Sequence, residues 1–153
     1  MQKNLLALLR IAIGWLFFYA GITKILNTSW SPAGYLSAPK MFSELYAFLI
    51  SPSILPVTTF LSEWGLTLIG VALILGVFMR LATVLGAIIM LLFYFPILDF
   101  PYPNNHSYIV DEHIIYALVM LVLHVCDAGQ AWGLGRWAKN SFLRKIPLIG
   151  RWV

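Results

Sequence analysis

The chain has 153 residues, 61% of them hydrophobic and 10% charged, with a formal net charge of +4. A soluble domain is about 45–50% apolar and about 25% charged, so a water-soluble fold of this length is excluded and lipid must solvate much of the surface. The length suits one domain over residues 1–153, and a lone cysteine, Cys126, rules out an internal disulfide or a dithiol relay.

The first apolar run extends from Leu5 to Leu26, and further runs cover about 56–78, 81–98 and 110–126. Each is near the ~20 residues that cross ~30 Å of hydrocarbon, which predicts an all-α integral membrane protein built as a four-transmembrane-helix bundle. On the first run Arg10, Gly14, Phe17, Gly21 and Lys24 share one stripe at ~100° per residue. Small and charged residues on one stripe turn it toward other helices. The opening MQKNLLALLR does not read as a cleaved leader, because Arg10 interrupts its apolar part and no A-x-A site follows.

In the long connection from Asn27 to Ser53, Phe42, Leu45 and Leu49 fall at helical spacing beside Lys40 and Glu44, which predicts a short interfacial helix in the first outer loop. Only a tight turn at Met79 and Arg80 separates the second and third runs, so these form a helical hairpin. On the fourth run His113, Tyr116, Met120, His124 and Asp127 share a stripe, with Asp111 and Glu112 directed elsewhere at its first turn. The tail RWAKNSFLRKIPLIGRWV is basic and amphipathic and is expected on an anionic inner leaflet.

Charge sets the expected orientation. Lys3, Arg10, Arg80, Arg136, Lys139, Arg144, Lys145 and Arg151 fall on the side of the termini, and only Lys24 and Lys40 on the other. The positive-inside rule then puts both termini in the cytoplasm of a multi-pass plasma (inner) membrane protein.

A charge near mid-bilayer costs at least ~2.5 kcal/mol and calls for a partner, so the ionisable residues inside the runs carry the most information. Aligned by depth they predict two polar layers. The outer one holds Lys24, Glu63, His113 and Asp111, with Tyr19, Trp64 and Tyr116 as an aromatic slot; the inner one holds Arg10, His124 and Asp127, with Arg10 neutralised by Asp127. The outer layer is the site candidate, because it joins a cation, a carboxylate and an imidazole able to titrate near neutral pH. No metal site is predicted: Asp111, Glu112 and His113 are consecutive on a helix and are not expected to converge on one ion, although His106 in the loop PYPNNHSY could join one of them. There is no Gly-rich phosphate loop, and the basic residues lie at the membrane surface, so nucleic acid is not an expected partner.

The blocks LLRIAIGWLFFYAGITKI, NTSWSPAGYL, EWGLTLIGVALILGVFMRLA, IVDEHIIYALVMLVL and DAGQAWGLGRW, in this order, resemble the DoxX/DoxD family, and most closely its DoxD-type membrane subunits of thiosulfate:quinone oxidoreductase. Gly135 departs from the family's AGxxxGLD pattern, where an Asp is expected. The resemblance implies a four-helix membrane subunit of a quinone-linked oxidoreductase that passes electrons from thiosulfate or another small sulfur compound to quinone. In that reading Tyr19 and Trp64 hold the ring while His113 or Glu63 exchanges protons with it. Lipid and quinone are then partners, with a second small membrane or periplasmic subunit and self-association both open. Two other classes stand beside it: a non-catalytic membrane component that anchors or assembles a redox protein, and a small-molecule or lipid transporter.

Overall fold

The computed structural model describes residues 1–135, apart from the side chain of Gln130. The basic tail from Arg136 onward, expected on the inner leaflet, lies outside the described residues. The elements in chain order are α1 (Gln2–Leu26), α2 (Ala33–Leu36), α3 (Ser43–Leu49), α4 (Leu55–Leu75), α5 (Met79–Ile97), α6 (Glu112–Val125) and a 3-10 turn (Ala128–Gln130). No β-strand occurs among the described residues. Helices α1, α4 and α5 are long and apolar enough to cross a membrane. Helix α6 has 14 residues, or about 21 Å at ~1.5 Å per residue.

Helix α1 buries Ala7, Arg10, Ile13, Gly14, Phe17 and Gly21, which include Arg10, Gly14, Phe17 and Gly21 of the predicted stripe. It packs most intimately against α4, because Gly21 lies directly on the Thr67 backbone and Gly70 directly on that of Phe18, with no room for a Cβ at either. Without a hydrophobic drive between helices in lipid, such close backbone approach supplies the van der Waals contact that holds them. Phe17, Leu73, Met120 and Leu123 fill the centre of the bundle, while Leu5, Trp15, Leu68, Leu91 and Leu121 are exposed on its outside. That inverted surface is what a lipid solvent permits.

Two sequence expectations are corrected. The hairpin turn lies at Gly76–Phe78, and Met79 and Arg80 belong to α5. Gly76, at φ +70°, ends α4 in the left-handed conformation that glycine adopts without steric cost. The first connection carries two helices, and Phe42 is not on the apolar face of α3 but caps its start in a left-handed conformation. Tyr46 is the residue α3 buries. Its hydroxyl donates to the Leu92 carbonyl at 2.9 Å and ties the connection to α5. Burial pushes the Tyr46 phenol up to about 12.

The bundle thus has two ends. The hairpin end gathers the start of α1, the Gly76–Phe78 turn and residues 128–135. The loop end gathers α2, α3, the segment 98–110 and the start of α6.

Candidate functional site

At the hairpin end, Arg10 is fully buried and its two terminal nitrogens donate to the carbonyls of Ala128 (3.1 Å) and Trp132 (3.2 Å). Where the sequence suggested Asp127 as its partner, the Arg10 guanidinium is held by this fork onto backbone. The physical reason is the glycine spacing of AGQAWGLG. Gly133 comes within 2.5 Å of the guanidinium as measured from a built Cβ, and Gly135 within 2.6 Å of the Gly76 carbonyl. With no side chains in the way, the loop lays its carbonyls on Arg10. An Asp at position 135 would meet the Gly76 carbonyl, so Gly135 suits this packing. His124 turns away from Arg10 to Thr83 on α5, with Nδ1 3.0 Å from its hydroxyl. That hydroxyl donates to the Met79 carbonyl at 2.7 Å, which makes Nδ1 the donor.

The loop end is built differently. A cavity of about 570 Å³ lies among α1, α5, α6 and the first connection, lined by Lys24, Trp30, Tyr35, Phe93, Asn104, Glu112, His113 and Tyr116 together with Phe17, Leu66 and Met90. Lys24 donates to the Ala20 carbonyl at 2.9 Å and rests over the Trp30 ring, 5.1 Å from its centroid. An ammonium has three protons to donate, so capacity remains for a ligand. Tyr35 stands edge-on to Phe93 at 5.7 Å and donates to that residue's carbonyl at 2.7 Å. Burial, then the charges of Asp111 and Glu112, push the Tyr35 phenol up to about 12, which keeps it a donor.

Asp111 is buried and serves as the N-cap of α6: Oδ1 accepts from the backbone N–H of His113 (3.0 Å) and Ile114 (3.2 Å). Its other oxygen lies 2.7 Å from Nδ1 of His113. A carboxylate only accepts, so Nδ1 carries the proton and Nε2 is left to take or release one, the arrangement by which an acid fixes an imidazole tautomer. The expectation that Asp111, Glu112 and His113 could not converge is corrected, since their donor atoms lie within 4.8 Å of one another. The cause is backbone conformation: Asp111 is extended (φ −124°, ψ −171°), not helical, and its carboxylate folds back over the first turn. Both its oxygens are committed to the cap and the imidazole, so the trio is built as a hydrogen-bonded pair with Glu112 beside it.

The expected outer layer is therefore brought together in part. Lys24, His113 and Tyr116 line one cavity, and Asp111 supports it from behind. Glu63 does not line it; it lies on the α1–α4 seam, where its carbonyl is 2.9 Å from a Cβ built at Gly21, and among the described residues its carboxyl has no hydrogen bond or ion pair. Tyr19 and Trp64 do not form the slot either, being 60% and 43% exposed on the outside of the bundle. The slot is made by Trp30, Tyr35, Phe93 and Tyr116. Trp30 and Tyr35 were within reach of sequence reasoning, because NTSWSPAGYL brings two large aromatics directly after Lys24.

A small multi-pass helical membrane protein with one polar, aromatic-lined cavity at an end of its bundle is the class these features define. The DoxX family model matches residues 5–97, and the chain belongs to the DoxX family. The matched region contains Lys24, Trp30, Tyr35 and Phe93, whereas Asp111 and His113 follow it. No curated protein and no solved structure matches the chain.

Proposed function

We propose that the chain is the membrane subunit of a quinone-linked oxidoreductase, crossing the plasma membrane four times with both termini cytoplasmic, and that the loop-end cavity receives a quinone ring. Helix α6 is the fourth crossing in this reading, completed by residues at either end, and α3 lies at the interface. The observation that carries the proposal is the Asp111–His113 pair on the wall of a cavity that also holds Lys24 and Tyr116.

The fit is chemical. Trp30, Tyr35, Phe93 and Tyr116 offer flat apolar faces for a ring. Lys24 supplies a cationic donor for a ring oxygen, and such a donor counts most in a site that excludes water. Quinone reduction needs two protons with two electrons: the electrons come from the sulfur donor at the second subunit, and His113, held by Asp111, gives protons to the ring through Nε2 while Glu112 resupplies them from the loop side. Asp111 positions His113 and does not itself touch the ring. Within the cavity Lys24 is offset by Glu112, which suits a neutral quinone and not a sulfur dianion. Oxidation of thiosulfate or another small sulfur compound is accordingly assigned to a surface shared with a second subunit.

The test uses purified protein with its co-purifying subunit in vesicles, thiosulfate as donor and a soluble quinone as acceptor. His113→Gln should keep the fold and ring binding but lower turnover by roughly 100-fold. Normal turnover in a well-folded His113→Gln variant would make a non-catalytic anchoring component the function instead.

A further inference from the structure

A second cavity, of about 640 Å³, runs between α4 and α5. These helices are joined by the tight turn at Gly76–Phe78 yet touch far less than α1 and α4 do. On α5 the groove reaches from Phe78 to Phe93, fifteen residues or about 22 Å. Its polar liners are spent within the protein: Tyr46 donates to the Leu92 carbonyl, Thr58 to that of Leu49 at 2.8 Å and Ser62 to that of Thr58 at 2.8 Å. What the groove presents to an occupant is hydrocarbon.

We infer that this groove holds the isoprenoid tail of the same molecule whose ring enters the loop-end cavity; the inference rests on that reading of the cavity. Phe93 carries the argument, because it lines both spaces and so joins them. A ring lodged beside Phe93 has its tail directed past that residue into the upper end of the groove. Length selects the kind of tail. A phospholipid acyl chain stays within one leaflet, roughly half of the ~30 Å of hydrocarbon, whereas the groove continues for about 22 Å. A long polyisoprenoid fills it, and the absence of any open hydrogen-bonding group matches a chain that has none.

Two blocked variants test this. A Cβ built at Gly65 meets only the Ile89 side chain, at 3.5 Å, so Gly65→Phe projects into the groove without disturbing α4. Leu92→Trp fills it from α5, where the Leu92 side chain is 38% exposed. Binding of a benzoquinone without a tail, and of the same ring with a polyisoprenoid tail, is measured for each protein in phosphatidylcholine vesicles of one composition, so that partition of the tail into lipid cancels. In the wild type the tail should tighten binding by roughly tenfold, or ~1.4 kcal/mol, and both blocked variants should lose that gain while binding the tailless ring as the wild type does. A gain that persists in both variants, or is absent from the wild type, overturns the inference while leaving the cavity reading intact. A change of oligomeric state in the blocked variants with the gain unchanged means that a second copy fills the groove, which overturns it equally. Failure of the tailless ring to bind the wild type removes the cavity reading, and the tail site falls with it.

Discussion

Arg10 and Lys24 begin alike, as cations on the same stripe of the same helix, and end in opposite circumstances. Around Arg10 there is no space: glycines at 76 and 133 press on the guanidinium and two backbone carbonyls take its terminal protons. Around Lys24 there is a cavity, an aromatic platform and one intramolecular bond. A buried charge enclosed by its own chain, even with its Nε left without a hydrogen bond among the described residues, has no room for a ligand, whereas one that keeps donors in hand beside a void is available to one. Intramembrane ionisable residues are functional candidates by default, and here free volume separates the structural one from the functional one.

That contrast should be visible in variants. Arg10→Ala removes the donor to the buried Ala128 carbonyl and the part-buried Trp132 carbonyl, and an orphaned buried acceptor costs about 1–3 kcal/mol, so a loss of about 2–3 kcal/mol is expected in denaturation in mild detergent. Arg10→Lys should recover little, because one ammonium does not reproduce the planar fork. Gly133→Ala should follow, with a loss of about 1–3 kcal/mol from overpacking and no change in ring binding. Stability equal to wild type in either variant would remove the distinction drawn for the hairpin end. At the loop end the order of effects should reverse. Asp111→Ala should cost about 1 kcal/mol for the lost cap, while turnover falls further than that loss explains because the His113 tautomer is released. Smallest of all is Glu63→Gln: thermal stability should stay within about 0.5 kcal/mol and quinone turnover should be unchanged. A large drop in turnover there would return Glu63 to the proton path.

Depth was readable in the sequence and azimuth only in part. Counting residues inward grouped Lys24, Glu63 and His113 near one end, and of the α1 stripe Arg10, Gly14, Phe17 and Gly21 are buried, with Ala7 and Ile13 added and Lys24 only part-buried. What counting could not supply was the rotation of α4 about its own axis. That rotation is set by the seating of Gly21 on Thr67 and of Gly70 on Phe18, which turns Glu63 to the seam and puts Trp64 outside. The His113–Asp111 pair was hidden for another reason. The stripe argument assumes helical backbone, and Asp111 sits one residue before the helix, where an extended conformation lets a side chain reach back. Lys24 and Tyr116 were found because both lie on regular helix, where periodicity holds.

The Arg10 clasp also has a history in time. Its acceptors lie 118 and 122 residues further along the chain, on the order of ten seconds of synthesis at ~5–20 residues per second. Through that interval the first helix carries an unclasped cation into the bilayer, so the nascent bundle stays open until the AGQAWGLG segment emerges. A product cut short before Ala128 lacks both acceptors, and its Arg10 is left without this clasp. The last-made described segment is therefore what satisfies a charge that α1 carries from the outset.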